Sequence, residues 1–293
     1  MQAGKTYGNI SWRVMKTVST VFPENYFLRT SRYTVYSEKV PLLFNGFRIV
    51  QLSDLHGRSF GAGDSHLLKK IAAEVPDAVV ITGDIADSHT RSYAEVFHFA
   101  EALCRKYPVY FSLGNHEINM AYKRRNELLR GLQECGVHVL DNTFEDIERS
   151  GAKIRIYGYR LPLRYYRANG CRKPRPKLTC EAMRRMIGPC SAKEYSILLA
   201  HNPLCFDTYA MWGADLTFSG HVHGGLIYLP RFGGVFSPER SFFPHYSCGV
   251  YSSEELPERK MVVNRGLARG TRINDVPEIV LLTLHHVPKK GKE

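Results

Sequence analysis

Residues 47–84, FRIVQLSDLHGRSFGAGDSHLLKKIAAEVPDAVVITGD, contain two short apolar runs separated by a helical pattern. The two runs, FRIVQL and AVVI, are rich in β-branched residues, and each is followed by polar ones. Between them, HLLKKIAAEV spaces its apolar residues as an amphipathic helix does. A strand, a crossover helix and a second strand favour two parallel strands in one sheet. The segment therefore predicts an α/β fold.

The alternation of strand and helix continues beyond this segment. Helical spacing recurs in RSYAEVFHFAEALCRKY and RRNELLRGLQECG, and strands are predicted in VYFSLGN, VHVLDN, YSILLAHNP, ADLTFSGHVH, KMVVNRGLA and EIVLLTLHH. Two successive extended segments, TFEDIER and AKIRIYGYR, indicate an antiparallel turn in the middle of the fold. The sequence has no internal repeat and no low-complexity linker, which favours one domain over two. In such a fold, loops at the carboxyl ends of the strands hold the site.

Composition limits the class of protein. The chain has 293 residues, 44% of them hydrophobic and 23% charged, which excludes disordered and fibrous classes. No run reaches the roughly 18 apolar residues that span a bilayer, and the start lacks the features of a signal peptide. Seven cysteines without paired spacing fit a reducing compartment. We therefore expect a cytoplasmic protein, either free or peripheral on the inner face of the cell membrane.

The net charge of +12 is concentrated in two segments. Residues 161–193 hold nine Lys or Arg against one Glu, and residues 1–40 hold six against two, which points to an anionic partner. The first of these segments fits either a cap that grips an anionic, partly apolar substrate or a solvated surface loop whose short helix packs on the body. The second has apolar residues at helical spacing, namely Trp12, Met15, Val18 and Phe22. This helix fits an anionic membrane surface or packing against the domain.

Metal-capable side chains concentrate at the carboxyl ends of five predicted strands. They are Asp54 with His56, Asp84, Asn115 with His116, His201, and His221 with His223. Carboxylate, imidazole and amide-oxygen ligands suit borderline divalent metals such as Mn, Fe, Co or Zn. Two residues separated by one position point to the same side of an extended turn, so each such pair can chelate one ion. Either pair alone is weak evidence for a metal site, but the ordered set of five clusters predicts a metal centre.

The motifs that carry these residues resemble those of the calcineurin-like metallophosphoesterases. The chain has D-x-H at 54–56, G-D-x-x-D at 83–87, G-N-H-E at 114–117, H-N-P at 201–203 and G-H-x-H at 220–223. The resemblance implies a four-layer α/β/β/α sandwich of two mixed sheets that carries two divalent metal ions. We expect a phosphoesterase domain over residues 41–288, interrupted by a basic cap-like insertion at 161–193. Residues 1–40 would form an N-terminal basic amphipathic extension.

The resemblance also implies a role for each motif residue. One ion would be held by Asp54, His56, Asp84 and His223. A second would be held by Asp84, Asn115, His201 and His221, so that Asp84 bridges the pair. Two such cations acidify a water and polarise the phosphoryl oxygens during an in-line displacement. His116 would protonate the leaving alkoxide, Asp87 would orient His116, and Glu117 would support the loop.

A narrower resemblance concerns the substrate. SDLHGRSFG, TGDIAD, SGHVHGG and NRGLARGTRINDVPEIVLLTL resemble a bacterial branch of membrane-associated phosphodiesterases, some of which cleave UDP-2,3-diacylglucosamine at its pyrophosphate. Ser88 stands where protein Ser/Thr phosphatases have Arg, which disfavours that branch. The resemblance implies cleavage of a phosphodiester or pyrophosphate in a lipid-linked or nucleotide-linked substrate. The candidate substrate-binding side chains are Arg58, Arg164, Arg167 and His245.

Two other functions remain open from the sequence. A nuclease or cyclic-nucleotide phosphodiesterase would also use a basic insertion, because phosphate contacts dominate nucleic-acid affinity. A metal-free protein-binding scaffold on the same fold would have lost ligands, and none is lost here. Gly224 and Gly225 are expected to leave room for the chain beside a crowded metal pair.

Overall fold

The computed structural model describes residues 27–166, 176–225, 227–229, 233–235, 243–268 and 272–288. The strands are β1 Arg29–Ser37, β2 Phe47–Leu52, β3 Ala78–Ile81, β4 Val109–Phe111, β5 His138–Val139, β6 Thr143–Arg149, β7 Ala152–Gly158, β8 Tyr195–Leu199, β9 Leu216–Ser219, β10 Tyr228–Leu229, β11 Gly233–Gly234, β12 Gly249–Ser252, β13 Lys260–Val263 and β14 Glu278–His286. The α-helices are α1 Ser65–Ala73, α2 Ala94–Cys104, α3 Asn115–Asn119, α4 Tyr122–Glu134, α5 Cys180–Ile187 and α6 Phe206–Trp212. The helix predicted near Trp12 lies outside the described residues.

Two six-stranded mixed sheets form the centre of the fold. The first has the order β1-β14-β2-β3-β4-β5; β2 to β5 run parallel, and β14 is antiparallel to β2. The second has the order β12-β13-β9-β8-β7-β6, with four parallel strands between two antiparallel edge strands. The carboxyl ends of β2, β3 and β4, and those of β8 and β9, lie side by side within their own sheets.

The two sheets pack face to face through an apolar core to which Val80 of the first sheet and Phe218 of the second belong. Helices α1, α2 and α4 cover the outer face of the first sheet, where Leu132 is fully buried. Helices α5 and α6 cover the outer face of the second sheet through Met183 and Trp212. This order of layers, from helices through two sheets to helices, confirms the predicted four-layer α/β/β/α sandwich.

Strand β1 lies inside the segment that the sequence assigned to an N-terminal extension ending at residue 40. Arg29–Ser37 pairs in parallel with β14 and forms one edge of the first sheet. Only Ser31 and Val35 of this strand are buried. Apolar and polar residues therefore alternate only weakly along it, and the sequence predicts no strand here. The body of the fold therefore begins before residue 41.

The insertion at 161–193 contributes to the fourth layer. Helix α5 begins after Thr179, whose hydroxyl oxygen accepts a hydrogen bond from the Ala182 N–H, and it buries Met183 and Ile187. A hydroxyl at this position typically stabilises a helix by about 1 kcal/mol. The helix thus packs on the body, as one of the two predicted alternatives has it. Within the described part of the chain, no helix has both the length and the apolar content needed to cross a bilayer.

Candidate metal centre

The candidate ligands follow β2, β3, β4, β8 and β9 and lie in loops, except for Asn115, which begins α3. Five of them have a left-handed backbone with φ between 49° and 70°, namely Asp54, His56, Asp84, His221 and His223. Such conformations are uncommon outside glycine and cluster at functional sites. Gln51 Nε2 donates to Ser219 O at 2.8 Å, which joins the end of β2 to the end of β9. The sharp turns and this link bring side chains of both sheets into one space.

The proposed ligands form two compact groups, in each of which the ligand atoms lie within 4.8 Å of one another: Asp54, His56 and His223, and Asp84, His201 and His221. A third group of the same kind joins His56 to Asp87 and His116. The first two groups are in contact, because His201 Nε2 lies 3.6 Å from Asp54 Oδ1 of the other group, as well as 3.1 Å from Asp84 Oδ2 in its own. Asp84 Oδ2 is also 3.9 Å from His56 Nε2. Asp84, a member of the second group, therefore also borders the first, which is the position of the bridging ligand that the resemblance implies.

The residues present fit a divalent metal centre. His56 Nε2 and Asn115 Oδ1 are buried and make no hydrogen bond within the described residues. A buried polar atom left without a partner costs about 1–3 kcal/mol, and native structures rarely tolerate one. Two carboxylates, four imidazoles and one amide oxygen form a donor set for borderline divalent ions. The assignment of these seven side chains as ligands remains a proposal.

Burial and charge act in opposite directions on the titration of the cluster. Burial alone would raise the pKa of Asp84, but the surrounding histidines, His201 first, hold that pKa well below its usual range. Burial also opposes protonation of His201, yet Asp84 and Asp54 raise its pKa to about 10. Burial lowers the pKa of His223 to about 3. Asp54 and Asp84 are thus held ionised, which is the form that binds a metal, whereas His201 must lose a proton before it can ligate one.

His201 is oriented by a backbone carbonyl. Its Nδ1 lies 2.5 Å from Thr82 O, so Nε2 is the ring atom that faces Asp84. A histidine that ligates a metal usually donates its other ring N–H in this way, which fixes the tautomer and the ring orientation. This contact supports His201 as a ligand through Nε2.

His116 lies beside the two proposed ligand groups and forms a third group with His56 and Asp87. Its side chain is 41% exposed, and Nε2 is 3.9 Å from Asp84 Oδ2. The ring of His56 stands at 87° to it with centroids 4.5 Å apart. Asp87 Oδ2 is 3.8 Å from His56 Nδ1, and Asp87 Oδ1 accepts the Thr90 N–H. His116 thus borders the cluster with an exposed ring, and both its role as an acid and the orienting role of Asp87 stay predictions.

Glu117 holds two of the ligand loops together. Its fully buried carboxylate accepts the N–H groups of Asp84 and Gly114 at 2.9 and 2.8 Å and that of Ala86 at 3.2 Å. Burial and the charge of Asp84 raise the pKa of Glu117 to about 8, although the three N–H groups act against this rise. The side chain supports the loops, as the sequence predicts.

We expect Glu117→Gln to lower the free energy of unfolding by about 1–3 kcal/mol, because the amide would turn an NH₂ group toward backbone donors. Urea unfolding of the metal-free protein measures this change. Glu134→Gln, at the exposed end of α4, is the matched control and should change the free energy by less than about 0.5 kcal/mol. Equal stability of the two variants would contradict the supporting role.

The four candidate substrate-binding residues lie in different places. Arg58 Nη1 donates to Leu267 O at 2.7 Å, and its guanidinium stacks on Phe60. Arg164 is exposed, with Nη2 3.3 Å from the Tyr165 hydroxyl. His245 is exposed, and its ring packs against Tyr246. Arg167 lies outside the described residues. The hydrogen bond to Leu267 thus attaches Arg58 to the loop after β13.

Tyr166 is a site residue that the sequence did not assign. Its buried ring stands at 78° to that of His221, with centroids 5.0 Å apart, and lies 6.4 Å from that of His201. The start of the basic insertion therefore packs directly on the second ligand group. The only sequence signal was a pair of tyrosines among arginines, which does not specify a neighbour.

Gly224 has a different neighbour from the one expected. Its φ is +69°, and a Cβ at this position would overlap Asp275 Oδ1 and lie 3.0 Å from Arg265 Cγ. The crowding thus comes from two charged side chains behind the site, and the expectation that this glycine clears the chain past the metal pair is corrected. A side chain at 224 would push the loop of His223 away from Asp275.

The sandwich and its two-sheet ligand cluster define a class, that of metal-dependent phosphoester hydrolases. Residues 47–225, more than half of the chain, match the family described as "Calcineurin-like phosphoesterase". The chain belongs to this family. The family uses a dinuclear metal centre and acts on phosphate-containing substrates.

Three curated relatives span most of the chain. An uncharacterized metallophosphoesterase of Aquifex aeolicus is 26% identical over 277 residues, covering 92% of this chain and 94% of its own length. The uncharacterized metallophosphoesterase YkuE of Bacillus subtilis is 27% identical over 273 residues, with coverages of 89% and 87%. The phosphodiesterase YaeI of Escherichia coli is 25% identical over 244 residues, with coverages of 81% and 82%.

Proposed function

We propose that this chain hydrolyses a phosphodiester or pyrophosphate bond at a centre of two divalent ions, Mn, Fe or Zn. The observation that carries the proposal is the pair of ligand groups that meet at Asp84. The name of the Escherichia coli relative, a phosphodiesterase that aligns with 81% of this chain, favours a diester over a monoester.

The chemistry of this centre divides between the ions and the protein. When bound, the ions would polarise the phosphoryl oxygens and acidify the attacking water. The first ion would be held by Asp54, His56, Asp84 and His223, and the second by Asp84, Asn115, His201 and His221. His116 would hold a proton at Nε2 and pass it to the leaving oxygen. Asp87, near His56 and His116, would fix the orientation of the His116 ring.

For the substrate, we propose a lipid-linked or nucleotide-linked anion such as UDP-2,3-diacylglucosamine. The basic insertion supports this, because nine Lys or Arg occur in residues 161–193 and Tyr166, near the start of that segment, packs on His221. Arg164 is exposed next to Tyr165, where it could meet an anionic group. Arg58, Arg167 and His245 stay candidates for the same task.

A peripheral contact with an anionic membrane belongs to the same proposal. The basic residues 1–26 precede Phe27, which is 63% exposed. Strand β1 begins at Arg29 opposite Glu278, and the register of β14 with β2 places this end near Asp54. Residues 1–26 therefore join the fold at the end that carries the candidate centre, where a membrane contact would bring lipid-linked substrates close.

A substrate panel with Mn²⁺ tests the proposal. We expect turnover of bis-nitrophenyl phosphate and of UDP-2,3-diacylglucosamine to exceed turnover of nitrophenyl phosphate. Cyclic nucleotides and single-stranded DNA complete the panel. Hydrolysis of the monoester alone would contradict a diesterase. Steep salt dependence on DNA, with no turnover of the dispersed lipid, would favour the nuclease instead.

A further inference from the structure

Four buried charged side chains, Arg265, Arg272, Asp275 and Glu278, form what we call the Arg272 network. Each is at most 5% exposed. Asp275 accepts from Arg265 Nη1 at 2.8 Å and from Arg272 Nη1 at 2.6 Å, and Arg265 Nε lies 3.5 Å from Glu278 Oε2. Two positive and two negative groups leave the network neutral. Because desolvation makes buried ion pairs weak stabilisers, stability alone is a poor reason for the network.

Arg272 organises the loop that follows β13. Its Nε and Nη2 donate to three carbonyl oxygens of residues 265–268 at distances from 3.0 to 3.3 Å. The loop therefore curls around one guanidinium, whose planar set of donors matches this geometry. The N–H of Leu267 in the same loop donates to Ser53 O at 2.9 Å, directly before Asp54.

The loop touches the Asp54 side chain itself. Gly266 has a φ of +72°, and a Cβ built on it would lie 2.8 Å from both Asp54 Cβ and Asp54 Oδ2. No side chain fits between this backbone and the carboxylate. The carbonyl of Gly266 is one of the three that Arg272 holds. Gly266 thus links the two side chains, because it is held by Arg272 and packs on Asp54.

The same network also touches the loop of His223. The next residue, Gly224, packs so closely on Asp275 that a Cβ there would overlap Asp275 Oδ1. Asp275 is in turn fixed by hydrogen bonds from both arginines. Asp54 and His223 belong to one ligand group, with His223 Nε2 3.4 Å from Asp54 Oδ1.

We propose that the Arg272 network positions Asp54 and His223 for the first metal ion. This inference rests on the proposed function, since it takes the two residues as ligands of that ion. Partners behind the ligands of a metal fix the ligand geometry, and losing them typically weakens metal binding by about 10- to 100-fold. Arg272 is therefore a positioning residue, and its effect should be confined to one of the two ions.

The test separates the two ions by removing one at a time. Asn115→Ala leaves the first ion's ligands intact, and His223→Ala leaves the second's. Calorimetric titration of the metal-free proteins with Mn²⁺ then measures each affinity. Adding Arg272→Gln should weaken binding about 10- to 100-fold in the Asn115→Ala protein. In the His223→Ala protein the same change should alter the affinity by less than about twofold.

A second variant and a control distinguish a selective effect on the first ion from a general loss of structure. Asp275→Asn keeps the shape of the side chain but cannot pair with both arginines, and it should give the same selective loss. Arg259→Lys is the matched control, because Arg259 also pairs with a carboxylate, Asp215, and with Gly213 O at 3.1 Å. This control should leave both affinities unchanged.

Two results would overturn the inference. One is an unchanged first-ion affinity in both the Arg272→Gln and Asp275→Asn proteins. The other is an equal loss in the two backgrounds, which would indicate a general structural role. If the unmodified chain binds no Mn²⁺, the proposed function itself fails. If the unmodified chain binds two ions but the network variants bind Mn²⁺ with the same affinity as the proteins they were made from, this inference alone fails.

Discussion

Asp84→Asn is expected to abolish turnover and to empty both metal positions together. Asp84 is 1% exposed and lies between the two ligand groups, 3.1 Å from His201 Nε2 and 3.9 Å from His56 Nε2. An amide there presents one oxygen and no charge, so it cannot bridge two cations as a carboxylate does. The ions contribute several kcal/mol to transition-state stabilisation, so kcat/KM should fall about 10³-fold or more.

The matched control for this change is Asp64→Asn. Asp64 is also buried, at 3% exposure, and its Oδ1 accepts the Phe60 N–H at 2.7 Å, which an asparagine oxygen can still do. We expect this protein to keep both metal content and turnover. Metal analysis after Mn²⁺ loading and hydrolysis of bis-nitrophenyl phosphate are the two measurements. Normal activity of Asp84→Asn would rule out a centre bridged by this carboxylate.

His116→Ala is expected to spare metal binding and to slow substrates with poor leaving groups most. The side chain is 41% exposed beside Asp84, outside both ligand groups. A positioned general acid contributes about 10²- to 10⁴-fold when the leaving alkoxide needs a proton. Nitrophenolate needs little protonation, so bis-nitrophenyl phosphate should lose much less. Comparing kcat/KM for alkyl and nitrophenyl diesters measures the difference.

His98→Ala serves as the control for the loss of an imidazole. His98 is exposed on α2, away from the residues that form the candidate centre, so this protein should hydrolyse both substrates like the unmodified chain. An equal loss on both esters in His116→Ala would refute the general-acid role. Loss of metal in that protein would instead make His116 a ligand.

The core of the fold could be predicted because its parallel strands are buried on both faces. Such strands read as continuous apolar runs, and AVVI and YSILL both form strands with every residue buried. Strand β1 escaped prediction because it is an edge strand with two buried side chains. Helix α6 escaped because Phe206–Trp212 has only seven residues, which is too short for helical periodicity to stand out.

The candidate ligands could be predicted because each follows a strand, and the strand order then fixes their meeting point. The Arg272 network could not, since its contacts join residues 265–278 to Asp54 and Gly224 through backbone atoms and van der Waals packing. No spacing rule encodes a contact of this kind. Tyr166 was hidden for the same reason, because the ring that faces His221 belongs to an insertion without a motif.

The metal stoichiometry of the purified, unmodified chain tests the central claim most directly. The protein is freed of metal, equilibrated with excess Mn²⁺, separated from unbound ions and analysed for manganese per chain. The two ligand groups around Asp84 predict two ions per chain. A chain that binds no manganese under these conditions would contradict the dinuclear centre and the hydrolytic function proposed for it.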